Sequence, residues 1–164
     1  MNQYYFIQDK VTDIKGLANI LSVYRFKEKK IVFTHGCFDL MHRGHIEFLS
    51  KSSDLGDILI VGLHSDISAG KIKGQGRPIQ DHGTRSIVLA AIKFVNHVVL
   101  FDDVSPLGII EDIKPDVLVK GGECVANDNT GIDFVTSIGG KIVNFDLLSG
   151  YSTEGIIKKI KDLK

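Results

Sequence analysis

The 164-residue chain has no tryptophan, only two cysteines and three prolines, and no excess of charge of either sign. Lysine plus arginine and aspartate plus glutamate number 20 each, so the formal net charge is zero, which disfavours a nucleic-acid partner or a polybasic membrane anchor. No apolar run approaches the roughly 20 residues that a membrane span needs. The low cysteine count, without a secretory leader at the N-terminus, predicts a reducing, cytoplasmic setting.

Apolar runs typical of buried parallel strands alternate with helical patterns along the chain. Such alternation predicts an α/β fold, a doubly wound five-stranded parallel sheet with helices on both faces. The length suits one domain, which we divide into an N-terminal extension, residues 1–29, and a core, residues 30–164. The extension holds a predicted helix, Ile14 to Phe26, that should pack on the core. Before it, Tyr4 to Ile7 would form an edge strand or a dimer contact.

Three other predictions concern the connections and helix faces. Ala69 to Gln80, with three glycines and three cations, is predicted to be a flexible cationic loop. Asp81 should cap a helix that runs to about Val95. Its predicted inward face comprises Ile87, Val88, Ala91, Ile92 and Val95. The predicted inward face of the last helix comprises Ile156, Ile157, Ile160 and Leu163.

The chain is organised around one stretch, Phe33 to Leu49, with the sequence FTHGCFDLMHRGHIEFL. It begins at the end of an apolar strand and ends in the buried side of a helix. His42 and His45 are spaced three apart around Gly44, so they share one face at the helix start. The free backbone N–H groups of a helix N-terminus favour an anion. This strand, turn and helix start therefore predict a phosphate site, to which the histidines add proton donors.

Two other interpretations of the histidines stay open at this point. They would be incidental at a flavodoxin-like helix start, or they would bind zinc. A closed zinc site needs four ligands, and the two cysteines, Cys37 and Cys124, are far apart in sequence. Polar clusters at the carboxyl ends of several predicted strands argue against incidental histidines, because ligands of open parallel sheets bind there. The clusters are residues 35–45, 65–77 and 120–123, with Ser152 and Thr153 at a helix start.

The block from Gly36 to His45 resembles the HxGH signature of the Rossmann-like nucleotidyltransferase superfamily, which includes cytidylyltransferases, pantetheine-phosphate adenylyltransferases and class I aminoacyl-tRNA synthetases. Further motifs, in order along the chain, are similar to one branch, the D-glycero-D-manno-heptose 1-phosphate adenylyltransferases. They are VGLHSD, KG followed by RPI, PDVLVKGG and GYST. The resemblance covers about residues 30–164 and, without a kinase segment, is to the monofunctional enzymes. It implies a separate sugar kinase upstream.

The resemblance implies transfer of AMP from ATP to a sugar 1-phosphate by direct in-line attack on the α-phosphorus, which gives ADP-heptose and pyrophosphate. The implied catalytic residues are His42, His45 and Lys73, which would bind phosphate oxygens and offset charge on the leaving pyrophosphate. Mg²⁺ is the implied cofactor, bridging ATP phosphates with no firm protein ligand. A homodimer that binds neither nucleic acid nor membrane is also implied.

The resemblance also implies the nucleotide contacts. Thr34 and the backbone N–H of Phe38 would hold the triphosphate, Asp39 would orient the turn, and Cys37 would pack. The full implied set is Thr34, Gly36, Cys37, Phe38, Asp39, Gly44, Lys120, Gly121, Gly122, Ser152 and Thr153, with the Lys-Gly-Gly turn against the adenine and the Ser-Thr pair on the β- and γ-phosphates. Implied acceptor or phosphate contacts are His64, Asp66 and Arg77.

The chain departs from the family pattern at a few positions. His35 and His64 stand where the family usually has Asn, Asn96 replaces an Asp, and Glu123-Cys124 replaces an Asp-Tyr. We expect these changes to flank the pocket and to affect substrate identity. One alternative function is a cytidylyltransferase that acts on glycerol 3-phosphate or a similar phospho-alcohol. A second is a nucleotide-binding sensor without turnover.

Overall fold

The computed structural model describes residues 2–121, 129–146 and 148–163. Within these residues the strands are Val11–Thr12 (β1), Ile31–Gly36 (β2), Ile58–His64 (β3), His97–Phe101 (β4), Val117–Gly121 (β5) and Lys141–Phe145 (β6). The helices are Gln3–Gln8 (α1), Ile14–Phe26 (α2), Arg43–Ser53 (α3), Asp66–Lys73 (α4), His82–Ala90 (α5), Leu107–Ile113 (α6), Ile132–Ser137 (α7) and Thr153–Lys161 (α8). No helix in these ranges is long and apolar enough to cross a membrane.

The strands form one sheet in the order β1-β4-β3-β2-β5-β6, and every pair is parallel. From β2 the chain adds β3 and β4 on one side, then crosses back to place β5 and β6 on the other. The direction of winding therefore reverses between β2 and β5. In open parallel sheets, ligands bind at such a reversal, outside the carboxyl ends of the strands.

Helices cover both faces of the sheet, as predicted. On one face Phe48 and Leu49 of α3 and Leu89 of α5 pack on the strands. On the other, α2, α6 and α7 contribute buried side chains that include Leu17 and Ile110. Each such side chain stabilises the fold by roughly 1.5–3 kcal/mol relative to full exposure. Burial on two faces explains why strands such as β3, in which all seven residues are buried, are unbroken apolar runs.

The predicted count of five strands is wrong by one, because β1 has only two residues and carries no apolar run. It pairs Val11 with Val98 and Thr12 with Val99 at the edge beside β4. The segment from Tyr4 to Ile7, predicted as an edge strand or a dimer contact, is not a strand, because it lies in α1, where Asn2 accepts a hydrogen bond as the N-cap.

Other boundaries also differ from prediction. The segment predicted as a flexible loop is helical up to Lys73, since Ser65 caps α4. The helix α5 ends at Ala90, and its buried residues are Arg85, Ser86, Leu89 and Ala90. Of the predicted inward face of the last helix, Ile160 on α8 is 57% exposed, and Leu163, which lies beyond the end of α8, is 79% exposed. Asn96 does not flank the pocket, because it bonds the backbone of Leu59 near the amino ends of β3 and β4.

Candidate functional site

The candidate site lies at the carboxyl end of β2, where the chain makes a turn and enters α3. His42 is the N-cap of that helix and His45 is its third residue. The two imidazoles stack with centroids 3.9 Å apart and an interplanar angle of 29°. The backbone N–H of His42 donates to Nδ1 of His45 over 3.3 Å. One local interaction therefore caps the helix and fixes the histidine pair.

The hydrogen bond to Nδ1 determines which tautomer of neutral His45 is present. Because Nδ1 accepts, the proton lies on Nε2, and that N–H is available to a ligand. Burial, followed by the charges of His42 and Lys73, lowers the pKa of His45 to about 4. Burial also lowers the pKa of His42, whose Nδ1 is buried without a partner among the residues described. Both rings are thus neutral hydrogen-bonding groups at pH 7.

A second helix N-terminus meets the first. A side chain at Gly44 would come within 3.0 Å of the His42 ring and 3.4 Å of Tyr151 Cβ, so glycine lets α3 and the start of α8 approach closely. Ser152 Oγ accepts from Gly155 N as the N-cap of α8. Ser152 thus caps the helix, and the free backbone N–H groups of the first turn lie beside the histidines.

Asp39 is one of two buried anchors that hold the site together. Its carboxylate, 3% exposed, accepts from Arg77 Nε at 3.1 Å, from Ile79 N at 2.7 Å and from Gln80 N at 3.0 Å. Its backbone carbonyl accepts from Thr153 Oγ1 at 2.8 Å. These contacts join the turn after β2 to the segment after α4 and to the start of α8. The carboxylate is therefore occupied in orienting the turn.

The second anchor is Arg85, which sequence reasoning missed. Its side chain is completely buried and donates to the carbonyls of Cys37, His64 and Gln80 at 2.6–2.9 Å. It also forms a 2.7 Å ion pair with Asp66 in the first turn of α4. Arg85 therefore ties the ends of β2 and β3 to α4. The sequence offered one signal for this role, because Arg85 is the single lysine or arginine of α5 and stands four residues before the buried Leu89.

Lys73 lies at the end of α4, exposed, and its charge reaches the site. That charge contributes to the lowered pKa of His45 and opposes the rise that burial gives to the pKa of Cys37. For Cys37 burial is the larger effect and raises the pKa, so the thiol is a neutral packing group. After Lys73 the chain turns through Gly74 and Gly76, both at positive φ in open space.

The remaining residues of the turn are shaped by packing. Phe38 and Leu40 have φ of +46° and +49°, a left-handed conformation that costs non-glycine residues about 1 kcal/mol or more each. A Cβ at Gly36 would come within 3.0 Å of the Phe38 ring. Thr34 is 1% exposed, and its hydroxyl has no partner among the described residues. A buried hydroxyl without a partner beside the turn is suited to a ligand oxygen.

At the end of β5, Lys120 is only 5% exposed, and Gly121 is the last residue of the strand. A Cβ at Gly121 would lie 2.7 Å from the Phe48 ring, so this glycine serves the packing of α3 on the sheet. The predicted adenine contact at Gly122, and the departure at Glu123-Cys124, lie outside the described residues.

The predicted acceptor contacts are engaged within the protein. His64 is 4% exposed, and its Nδ1 lies 3.3 Å from Ser68 Oγ. Asp66 pairs with Arg85 and with His82. Among residues 2–121, 129–146 and 148–163, no group of three or more His, Cys, Asp or Glu side chains is arranged to hold a metal ion.

A parallel α/β sheet whose central strand leads into paired histidines, flanked by two helix N-termini and a lysine, is an arrangement suited to binding a polyphosphate. The family is shown by comparison. Residues 33–156 match the model of the cytidylyltransferase-like family, and the chain belongs to that family.

Known relatives agree with this assignment. The bifunctional protein HldE of Campylobacter concisus is 45% identical over 157 residues, which are 96% of this chain and 32% of that protein. The HldE of Geobacter metallireducens is 44% identical over 151 residues, 92% of this chain and 31% of that protein. The chain thus spans about a third of the length of these curated relatives.

Among solved structures, the lipopolysaccharide core biosynthesis protein of Thermoplasma volcanium GSS1 superposes with a TM-score of 0.61 at 26% identity. The match covers 76% of this chain and 99% of that one.

Proposed function

We propose that the protein transfers AMP from ATP to D-glycero-D-manno-heptose 1-phosphate, giving ADP-heptose and pyrophosphate. The observation that carries this proposal is the stacked pair of neutral histidines, His42 and His45, at the N-terminus of α3. Their position at the winding reversal of the sheet, beside a second helix N-terminus, suits a polyphosphate.

The chemistry needs no nucleophile from the protein. A phosphate oxygen of the sugar 1-phosphate forms a bond to the α-phosphorus, the bond to the α,β-bridging oxygen breaks, and pyrophosphate leaves with the electron pair. Catalysis then consists of aligning the two phosphates and stabilising the charge that develops. In this scheme Nε2–H of His45 donates to a phosphate oxygen on the leaving side, and His42 acts beside it.

Lys73 and the start of α8 complete the proposed phosphate contacts. Lys73 supplies a point charge on a flexible stem, and the chain after it turns through Gly74 and Gly76, both at positive φ. The hydroxyl of Thr153 already donates to the backbone carbonyl of Asp39. We therefore assign the β- and γ-phosphates to the backbone N–H groups at the start of α8, in addition to the predicted hydroxyls of Ser152 and Thr153. Arg77 acts through Asp39 in this proposal.

Adenine recognition by Lys120, Gly121 and Gly122 remains a proposal from the family resemblance. Mg²⁺ fits the site as a companion of the nucleotide, because Asp39, the one buried carboxylate there among the residues the structure describes, is occupied by three donors. Bound to ATP, the ion would neutralise phosphate charge. The protein residues that would border the magnesium nucleotide are Thr34 and the paired histidines.

The heptose acceptor is supported by identities of 43–46% to HldE proteins and by structural similarity to the lipopolysaccharide core biosynthesis protein of Thermoplasma volcanium GSS1. We further propose a separate kinase that supplies the sugar 1-phosphate, a cytoplasmic location, and one domain with residues 1–29 packed on residues 30–164. A homodimer is also proposed, with the exposed aromatic residues Tyr4, Tyr5 and Phe6 of α1 as a contact.

The test is pyrophosphate release with Mg²⁺, crossing ATP, CTP, GTP and UTP with both anomers of the heptose 1-phosphate, hexose 1-phosphates and glycerol 3-phosphate. We expect release with ATP and one heptose anomer, and ADP-heptose as the product by mass spectrometry. Release with CTP and glycerol 3-phosphate would instead establish the cytidylyltransferase alternative. Tight ATP binding without release for any acceptor would establish the sensor.

A further inference from the structure

We propose that Arg43 and Tyr151 are positioning residues, whose cation–π contact holds the start of α8 against the start of α3 for polyphosphate binding. This inference rests on the proposed function, because it concerns the two helix N-termini that would bind the phosphates of the nucleotide. Arg43 is the first residue of α3, and Tyr151 directly precedes Ser152, the N-cap of α8. Neither residue is among the contacts that the family resemblance implies.

The contact joins two side chains that lie at the surface and far apart in sequence. The guanidinium carbon of Arg43 lies 5.6 Å from the centroid of the Tyr151 ring, within the roughly 6 Å over which a ring attracts a cation. Arg43 is exposed, and Tyr151 is 41% exposed, so the core does not depend on either of them. Arginine stays protonated in proteins, so the attraction is present at any working pH.

Arg43 is unfavourably placed for the stability of its own helix. The N-terminus of a helix carries partial positive charge, so a cation in the first turn opposes the helix dipole. The first turn of α3 has no acidic residue to offset that charge, and the carboxylate of Glu47, one turn further on, pairs with Lys51 at 2.8 Å. A residue that breaks a local rule in this way points to a role outside its helix.

The backbone brings the aromatic ring to the guanidinium. Gly150 has a φ of +84°, in a turn that the N–H of Tyr151 closes on the carbonyl of Leu148 at 3.3 Å. The chain then passes so close to α3 that a Cβ at Gly44 would lie 3.4 Å from Cβ of Tyr151. Tyr151 therefore meets α3 within its first turn, next to Arg43.

The start of α8 depends on few contacts for its position. Thr153 is the one buried residue of this helix, and its hydroxyl donates to the Asp39 carbonyl. Glu154 is 65% exposed and lies 3.7 Å from Arg77, an arrangement in which an ion pair contributes little. The ring of Tyr151 on Arg43 adds a link to α3 itself. A helix end that is already in place needs no ordering when a ligand binds.

The contact should matter for ligands that touch both helix ends and not for ligands that touch one. In the proposed function the phosphate chain of ATP extends from the start of α3 to the start of α8. AMP carries a single phosphate and cannot extend in this way. Because the contact fixes one helix end relative to the other, it should favour nucleoside triphosphates over monophosphates.

The experiment measures the dissociation constants for ATP and AMP by calorimetry. We expect Tyr151→Leu to raise the Kd for ATP about threefold and to leave the Kd for AMP within about 1.5-fold. Tyr151→Phe keeps the ring face and should stay near the wild type. Arg43→Met should also raise the Kd for ATP about threefold, and the double variant should lose little more, because the two side chains act as one unit.

The matched control is Lys51→Met, which removes an exposed cation from the other end of α3 and should change neither Kd. An unchanged Kd for ATP in Tyr151→Leu, equal changes for ATP and AMP, or additive losses in the double variant would overturn the inference alone. If the wild-type protein binds ATP no more tightly than AMP, the two helix ends do not share the phosphate chain. The proposed function then fails as well, so the two failures are distinguishable.

Discussion

His42 and His45 belong to one helix end and stack at 3.9 Å, whereas His35 and His64 come from neighbouring strands and meet edge to face at 5.9 Å. The first pair leaves Nδ1 of His42 without a partner among the described residues and directs Nε2 of His45 outward. In the second pair, His64 is 4% exposed, and its Nδ1 lies 3.3 Å from Ser68 Oγ. Both pairs lie at the same edge of the sheet.

The difference between the pairs follows from how each is built. The helix pair is positioned by residues that are close in sequence. Nδ1 of His42 and Nε2 of His45 can still form hydrogen bonds, which suits contact with charge that develops during a reaction. The strand pair depends on sheet register and aromatic packing, because His35 stacks on Phe33 and His64 packs on Phe101. Arg85 connects them, because its Nη1 donates to the carbonyls of both Cys37 and His64.

The largest expected effect comes from removing this connection. Arg85→Met leaves three backbone carbonyls without their donor, so we expect the free energy of unfolding to fall by about 3 kcal/mol or more. Chemical denaturation measures it. Arg85→Lys keeps the charge but not the planar set of donors, so its free energy of unfolding should lie between those of Arg85→Met and the wild type.

The control for Arg85 is Lys51→Met, which breaks an exposed pair with Glu47 on α3 and should cost less than about 0.5 kcal/mol. If Arg85→Met is as stable as Lys51→Met, Arg85 does not anchor the site.

A smaller effect distinguishes the two pairs by titration. Burial holds the pKa of both His45 and His64 at about 4 in the free protein. Bound ATP adds negative charge beside His45 and favours the imidazolium, so the pKa of His45 should rise by about one unit or more, equivalent to about 1.4 kcal/mol. The pKa of His64, which is buried on the other face of the sheet, should stay the same.

Histidine ring resonances followed by NMR against pH, with and without a non-hydrolysable ATP analogue, measure these two values separately. By linkage, the analogue should then bind more tightly as pH falls through the raised pKa of His45. A rise at His64 without one at His45 would contradict the proposed position of the phosphates.

Local spacing and hydrophobic runs were sufficient to predict much of this architecture. Buried parallel strands are continuous apolar runs, so β2 to β6 were predictable, while β1, with two residues, was not. The closeness of His42 and His45 follows from the helical period alone. The contact between His35 and His64 required the register of β2 on β3, in which Gly36 pairs with Leu63.

Arg85 shows why the rest was not predictable. Its partners Cys37 and His64 lie 48 and 21 positions away in sequence, and they contribute backbone carbonyls, which no residue type reveals. On α8 an amphipathic pattern predicted an inward face, but the helix is held mainly at its start, by Thr153 on Asp39, and Ile160 and Leu163 remain exposed.

The most direct test of the central claim is the turnover number of His42→Ala and His45→Ala, measured as pyrophosphate release with ATP and the heptose 1-phosphate and compared with His97→Ala. The account predicts that each of the first two lowers kcat by roughly 10²-fold or more, as for loss of an oxyanion donor, while His97→Ala stays near the wild type. If both His42→Ala and His45→Ala keep nearly full turnover, the histidine pair does not stabilise the transition state and the proposed mechanism is wrong.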